Sequence, residues 1–336
     1  MLTERGDKMT VSDRVIRDFH THTIYSDGLF TPSKLLNEAA RLHVHQIAIT
    51  DHNTVAGLPE ARDVSQQLGL MLLPGIEVTA QLQGKEVHIL GYAFRYNTLV
   101  KSQLSTYLSQ IKTADDHWAS KIAQLSQEQP ILVKNDMGAT SPLSISLHEL
   151  DRFRDSTKSS YFHFGVLLHD KLENVCEELA AVPPRHLYYF LFRRKEPEYL
   201  EQYAALFAKY GIKNQRYWYV PRENIRILPA NDVIAQLLDI GAVPVIAHPG
   251  EMHLSLQDLR CLRDMGLAGV EAFTPKHTQQ QIREYEAMAS ALQLFCTSGT
   301  DYHDPHHRNR VMIGRDRQGH PFTQGVTGED LRDWSS

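Results

Sequence analysis

Side chains able to bind a metal ion recur in this chain where apolar runs break off: His20 and His22, His52, Glu77, His248, then Asp301 and His303. Imidazole and carboxylate without thiolate suit Zn, Mn or Fe in sites that keep positions open for water and substrate. His20-Thr21-His22 puts both imidazoles on one side of an extended segment, because side chains alternate along a strand. A carboxylate such as Glu77 can bridge two ions at the short separation that phosphoryl hydrolysis uses. Taken singly, each of these residues is more often a cap or a hydrogen-bonding group than a ligand; their joint placement makes the case. Six of the 18 histidines enter the proposed site, and His43, His45, His117, His148, His169, His186 and His320 are read as surface or packing residues.

Positioning such a set needs strands that end on one rim. Val15–Phe19 reads as a first strand, followed by a Thr31-Pro32 helix start with Leu35, Leu36, Ala39 and Leu42 on one face. Strands are then expected at Gln46–Thr50, Leu70–Ile76 and Val87–Phe94, the last containing His88, with a helix over Ala61–Leu68. The alternation resumes with strands at Ala242–Ala247, Gly269–Phe273 and Leu294–Thr297, and helices at Leu256–Met265 and Thr278–Leu292. Strand alternating with helix implies parallel strands and an α/β fold, in which strand ends scattered over the sequence converge. Residues 15–96 and 231–320 form that unit, residues 1–14 are a disordered N-terminal segment, and 321–336 are a C-terminal tail. Residues 97–230, with helices at Leu104–Leu125 and Glu198–Tyr210, read as a helical insertion capping the rim.

Composition narrows the function classes. A formal charge of −5 gives no basic field for long duplex nucleic acid, although metal ions can supply positive charge locally for a short nucleotide. Cys176, Cys261 and Cys296 are odd in number and far apart, which favours a reducing compartment. No signal peptide is apparent, and no apolar run approaches the ~18 residues of a membrane span. The expectation is a cytoplasmic protein without a membrane partner.

Asp18-Phe19-His20-Thr21-His22-Thr23 with Ser26-Asp27-Gly28 resembles the first motif of the PHP (polymerase and histidinol phosphatase) family, and Thr50-Asp51-His52 resembles its second. Gly75-Ile76-Glu77, Val87-His88-Ile89-Leu90-Gly91, Ala247-His248-Pro249-Gly250 and Gly299-Thr300-Asp301-Tyr302-His303 follow in the family's order. The resemblance implies a distorted seven-stranded (β/α)7, TIM-like barrel holding two or three divalent ions. It assigns one ion to His20, His22, Glu77 and Asp301, a second to Glu77, His88 and His248, and a third to Asp27, His52 and His303. Asp18 and Asp51 are implied to orient imidazoles.

The same resemblance implies a phosphoesterase in which a metal-activated water attacks phosphorus in line. Its substrate is expected to be a small phosphorylated molecule, with a 3′,5′-nucleoside bisphosphate or a short oligonucleotide as the first choice. Two positions depart from the nucleotide-acting members: Glu251 stands where an arginine follows His-Pro-Gly, and Tyr161-Phe162-His163-Phe164-Gly165 lacks the arginine before a His-Phe-Ala step. Arg222, His253, Lys276, His277, Arg308 and Arg310 are the candidate substrate contacts, each taken singly more often a solvated charge or helix cap, and Tyr217 to Tyr219 either stack on a base or belong to an ordinary buried strand. Histidinol-phosphate and cyclic-phosphate hydrolysis are the enzymatic alternatives. A metal-binding regulatory module is the non-enzymatic one, and the filled ligand positions argue against it.

Overall fold

In the computed structural model, the described residues are 15–151, 161–184, 186–187, 197–213, 217–218, 220, 227–304 and 311–334. The expected disordered segment 1–14 lies outside them. Local signals act as expected: Thr31 caps the helix Pro32–Arg41 by accepting from Lys34 N, and Leu35, Leu36 and Ala39 face inward. Thr278 likewise caps Gln279–Ala291, in a capping box with Gln281.

The strands are β1 (Arg17–Asp18), β2 (Gln46–Ile49), β3 (Met71–Leu82), β4 (Lys85–Tyr92), β5 (Ile131–Lys134), β6 (Thr140–Leu143), β7 (Leu228–Pro229), β8 (Val243–Ile246), β9 (Gly269–Phe273) and β10 (Phe295–Ser298). Eight form one sheet in the order β1-β2-β3-β4-β8-β9-β10, with β7 added beside β3, while β5 and β6 pair separately. Ile47 and Ile49 pack with the helices, whereas Ala48 joins Phe19, Leu73, Leu90, Tyr92 and Val245 on the opposite face. With both faces buried, the strands read as short continuous apolar runs.

The fold is α/β as expected, but the sheet is mixed. β4 runs antiparallel to both β3 and β8. Only Gln83 and Gly84 separate β3 from β4, too few for a crossover, and both have positive φ (48° and 84°), as a tight hairpin turn requires. β3 also extends past its expected end at Ile76, so Glu77 lies inside the strand. Among the described residues no continuous ladder joins β1 to β10. The chain at and just beyond their C-terminal ends is laced together instead, with Phe19 N donating to Ser298 O (3.0 Å), His22 N to Tyr302 O (2.8 Å), and Thr21 bridging Tyr302.

The middle of the chain is not purely helical, since β5 and β6 form a hairpin there. Its apolar side chains, among them Trp118, Ile122, Phe164, Leu168, Phe207 and Trp218, form a cluster of their own. The helix Thr98–Glu128 serves both cores: Val100, Leu104, Leu108 and Ile111 pack against the main one, and Trp118 to Ala123 against the second. The C-terminal tail is structured as well, with a helix at Gly328–Trp334 that buries Leu331 against the sheet. No helix among the described residues is long and apolar enough to cross a membrane.

Asp18 ties this arrangement together. Its buried carboxylate accepts from Thr300 N (2.9 Å), Thr300 Oγ1, Gly314 N (2.8 Å) and His20 N (3.3 Å), joining β1 to the two segments that follow β10. Burial pushes its pKa up to about 6 even though those donors pull it down. Replacing Asp18 by alanine strands several buried donors, each worth about 1–3 kcal/mol. Urea unfolding is expected to show a stability loss on the order of 3–5 kcal/mol for Asp18→Ala; a loss below about 1 kcal/mol would contradict this role.

Candidate metal centre

The lengths of β3 and β4 decide where the ligands meet. His52 follows β2 and forms a parallel bridge with Glu77 inside β3. Because β4 is antiparallel, its early residue His88 lies beside the exit of β8, where Ala247 N donates to His88 O (2.9 Å). His20 and His22 follow β1, His248 follows β8, and Asp301 and His303 follow β10. Three residues at these exits hold left-handed backbone: Asn53 (φ 54°), His248 (φ 28°) and Asp301 (φ 54°). Such strain persists only where the surroundings impose it, and it clusters at functional sites.

Glu77 is fully buried, and its two oxygens face different groups of imidazoles. Oε1 lies 2.9 Å from His88 Nδ1 and 3.4 Å from His248 Nε2. Oε2 lies 3.0 Å from His52 Nδ1, 3.2 Å from His22 Nε2 and 3.3 Å from His20 Nε2. Asp301 Oδ1 lies 2.9 Å from His22 Nε2 and 3.2 Å from His20 Nε2. Asp27 Oδ1 lies 3.2 Å from His303 Nε2, and its Oδ2 3.9 Å from His52 Nε2. Eight of the nine expected ligands fall into three groups with donor atoms within 4.8 Å: His20, His22, Glu77, Asp301; His22, Asp27, His52, His303; and His52, Glu77, His88. His248 joins through Glu77 Oε1.

The donor set fits divalent ions. Both Glu77 oxygens, His20 Nε2 and His22 Nε2 are buried and make no hydrogen bond, although they face one another. Buried polar atoms left this way normally have a further partner, and a set of imidazoles and carboxylates is a suitable coordination shell. In the protein alone, protons do the work of balancing charge. Burial by itself would raise Glu77, but His52, His20 and His88 hold it well below the usual carboxylate range. Burial would lower His22, yet Asp301 and Glu77 bring it up to about 9, and His20 also rises, held by Glu271, Glu77 and Asp301 against the effect of burial.

The polar groups around the ligands depart from expectation. Asp18 holds backbone amides and the Thr300 hydroxyl rather than an imidazole ring. Asp51 accepts from Thr23 N and Thr23 Oγ1 (both 2.6 Å) and from Ser26 Oγ (2.7 Å), and Ser26 Oγ is 3.3 Å from His22 Nδ1. Its effect on the ring is relayed through that serine. Glu271, which sequence reasoning missed, touches the site directly: Oε1 lies 3.0 Å from His20 Nδ1, and Oε2 accepts from His248 N (2.8 Å). The signal was a lone carboxylate inside the apolar run Gly269–Phe273, a position that burial forbids without a partner. Gly299 packs beneath it, and a Cβ there would strike Glu271 Oε1 and His20.

Among the expected substrate contacts, Lys276 reaches the cluster, with Nζ bonded to Asp301 Oδ2 and 2.7 Å from Glu251 Oε2. His277 has a packing role: Nε2 accepts from Gly250 N (2.9 Å), Nδ1 is 3.0 Å from Ala272 O, and the ring stacks on Tyr285. Both nitrogens are taken, which corrects its reading as a substrate contact. His253 is exposed in the turn after Gly250, with φ 49°, and belongs to none of the three groups. Arg222, Arg308 and Arg310 lie outside the described residues, as does Tyr219. Tyr217 and Trp218 pack with the second core, Trp218 Nε1 donating to Gln129 O (2.8 Å), which is the buried role of the two readings rather than base stacking. A cavity of about 260 Å³ lies beside the ligand loops, between Tyr25, Asn53 and Thr54 on one side and Lys101, Leu104 and Ser105 on the other.

Comparison with known proteins identifies relatives of the chain. The sequence profile described as "PHP domain" matches residues 18–213. Phosphoribosyl 1,2-cyclic phosphate 1,2-diphosphodiesterase of Eggerthella lenta is 27% identical over 86% of this chain and 94% of its own length. The 5′-3′ exoribonuclease Rnm of Escherichia coli is 27% identical over 87% of this chain and 86% of its own. The 3′,5′-nucleoside bisphosphate phosphatase of Chromobacterium violaceum is 23% identical over 86% and 87%. The crystal structure of a Bifidobacterium adolescentis protein assigned as a metal-dependent phosphoesterase shares the fold, with a TM-score of 0.63 and 23% identity over 94% of both chains.

Two measurements test the centre. His22 rises from 6.5 to about 9 on folding, so its contribution to stability is full below pH 6.5 and is lost as pH passes through 9. Protein stripped of divalent ions is expected to melt at lower temperature at pH 9 than at pH 6.5, and an added divalent ion to reverse the loss; a pH-independent melting temperature over that range would contradict the cluster's charge balance. Glu271→Gln is expected to weaken divalent-ion affinity by roughly 10–100-fold in a competitive chelator titration, because His20 loses its anionic partner.

Proposed function

The chain belongs to the PHP domain family, and from that premise we propose a metal-dependent phosphoesterase acting on a small phosphorylated substrate, a nucleotide in the first instance. The observation that carries this reading is Glu77, a buried carboxylate flanked by imidazoles on both oxygens. We assign His20, His22, Glu77 and Asp301 to one ion, Glu77, His88 and His248 to a second, and Asp27, His52 and His303 to a third. Mn, Fe or Zn fits these donors. Bound ions supply Lewis acidity and neutralise charge on the phosphoryl group.

The protein's own residues do the rest. Glu77 is placed to be shared, since each oxygen faces a different set of ligands. Glu271 orients His20 through Nδ1, which leaves Nε2 directed at Glu77 and Asp301. The Asp51–Ser26 pair does the same for His22. The laced exits of β1 and β10 are read as the seam of a distorted seven-stranded barrel, and residues 97–230 as a cap on its rim. The cavity between Tyr25, Asn53 and Lys101 has room for a small organic group such as a nucleobase and lies between that rim and the cap.

A second reading has its own support. The Eggerthella lenta relative, matched over most of its length, is named for a cyclic phosphodiester, and the same ligand set serves a monoester or a diester. Phosphate release from adenosine 3′,5′-bisphosphate by Mn-loaded protein separates the two when run beside a five-membered cyclic phosphodiester and a 5′-phosphorylated oligoribonucleotide. Turnover of the bisphosphate is expected, with kcat reduced by roughly 10²–10³-fold in Asp301→Asn. Hydrolysis of the cyclic ester alone would transfer the assignment to diesters, and inactivity on every ester by folded, metal-replete protein would reject the function.

A further inference from the structure

Lys276 is the only lysine or arginine among the described residues that forms an ion pair with a carboxylate of the cluster. Its ammonium is bonded to Asp301 Oδ2 and lies 2.7 Å from Glu251 Oε2, and its side chain is 12% exposed. Asp301 thereby presents Oδ1 to His20 and His22 while Oδ2 is occupied. An ammonium has three N–H donors. Two point at carboxylates, and the third remains on a group at the edge of the cluster with a path to solvent.

The loop that carries Lys276 is held before any ligand arrives. The adjacent His277 accepts from Gly250 N, one residue before Glu251, and donates to Ala272 O. Tyr285 OH donates to Pro249 O (3.1 Å) and stacks on the His277 ring. The β9 and β8 loops are therefore pinned side by side, and Lys276 faces Glu251 as a consequence. A lysine held this way has surrendered much of its rotamer freedom during folding, so ordering it on a ligand costs little. Glu251 also lies 3.3 Å from His248 Nδ1, so its negative charge is not given to Lys276 alone.

We propose that Lys276 is the phosphate-binding cation of the protein itself, its third N–H holding an oxygen of the substrate's phosphate, while Glu251 restrains the ammonium and tempers its charge. The inference rests on the phosphoesterase reading and adds the residue that recognises the anion. It separates the two members of the ion pair: Lys276 attracts phosphate, and Glu251 opposes it. A mere structural tie between two loops would weaken phosphate binding whichever member was removed.

Calorimetric titration of metal-loaded protein with inorganic phosphate distinguishes these cases, with bound metal measured on every sample. Lys276→Met is expected to weaken phosphate at least tenfold and to lower kcat/KM by roughly 10²-fold at unchanged metal content. Lys276→Arg is expected to recover part of the loss, and Glu251→Gln to tighten phosphate several-fold. Lys276→Gln serves if the methionine variant does not fold. Unchanged phosphate affinity in the Lys276 variants overturns the inference, as does a loss that tracks loss of metal, or a weakening in both Lys276→Met and Glu251→Gln. Wild-type protein that binds phosphate but hydrolyses no ester rejects the phosphoesterase reading while leaving the titration valid as a test of Lys276.

Discussion

A carboxylate taken wholly out of water is tolerated only when positive charge or strong donors surround it, and Glu77 imposes that condition on the rest of this structure. Five imidazoles within 3.4 Å of its oxygens meet the condition. They come from segments following β1, β2 and β8 and from within β4, so the sheet must bring all of these to one place. Against the effect of burial, surrounding carboxylates hold two of the imidazoles, His20 and His22, above the usual range, whereas burial and Lys276 lower His248. The protons on His20 and His22 are ones that divalent ions can replace, which couples folding to metal binding. A site whose stability in the bare protein depends on protonated histidines is therefore poised to take up metal as those protons leave.

The polar groups behind the ligands make that convergence rigid. Asp18 binds backbone amides and a hydroxyl and fixes loops rather than a ring, whereas Asp51 fixes its loop and also reaches the His22 ring through Ser26. Glu271 does both, since one oxygen meets His20 and the other the amide of His248. Left-handed backbone at His248 and Asp301 turns those side chains inward immediately after their strands, at a conformational cost that the surrounding hydrogen bonds offset. The long helix Thr98–Glu128 fastens the second core to the first and lines the cavity beside the ligand loops. The two cores among the described residues thus share one helix.

The imidazoles and carboxylates that cluster in the structure were legible in the chain because burial makes a polar residue conspicuous. His20, His22, His52, His248 and Asp301 interrupt or terminate apolar runs, where the strands leave the core. The α/β class followed from the alternation of those runs with helices, and the caps at Thr31 and Thr278 from short-range hydrogen bonding. Glu271 was overlooked because its neighbours in sequence are ordinary core residues, and its partners lie 23 and 251 positions away. The β5–β6 hairpin and the packed C-terminal helix escaped for a similar reason: their apolar sides are defined by what covers them.

What the sequence alone determined is therefore the inventory of chemistry: imidazoles and carboxylates at strand exits. The tertiary structure decided their relations. The two-residue turn at Gln83-Gly84 reversed β4 and delivered His88 to the exit of β8. Packing on Tyr285 made His277 a structural clamp, and the clamp set Lys276 against Asp301 and Glu251. Residue types record which groups can bear charge or bind metal, because that is intrinsic to a side chain. Which of them meet depends on strand direction, loop closure and burial, and those are properties of the assembled chain.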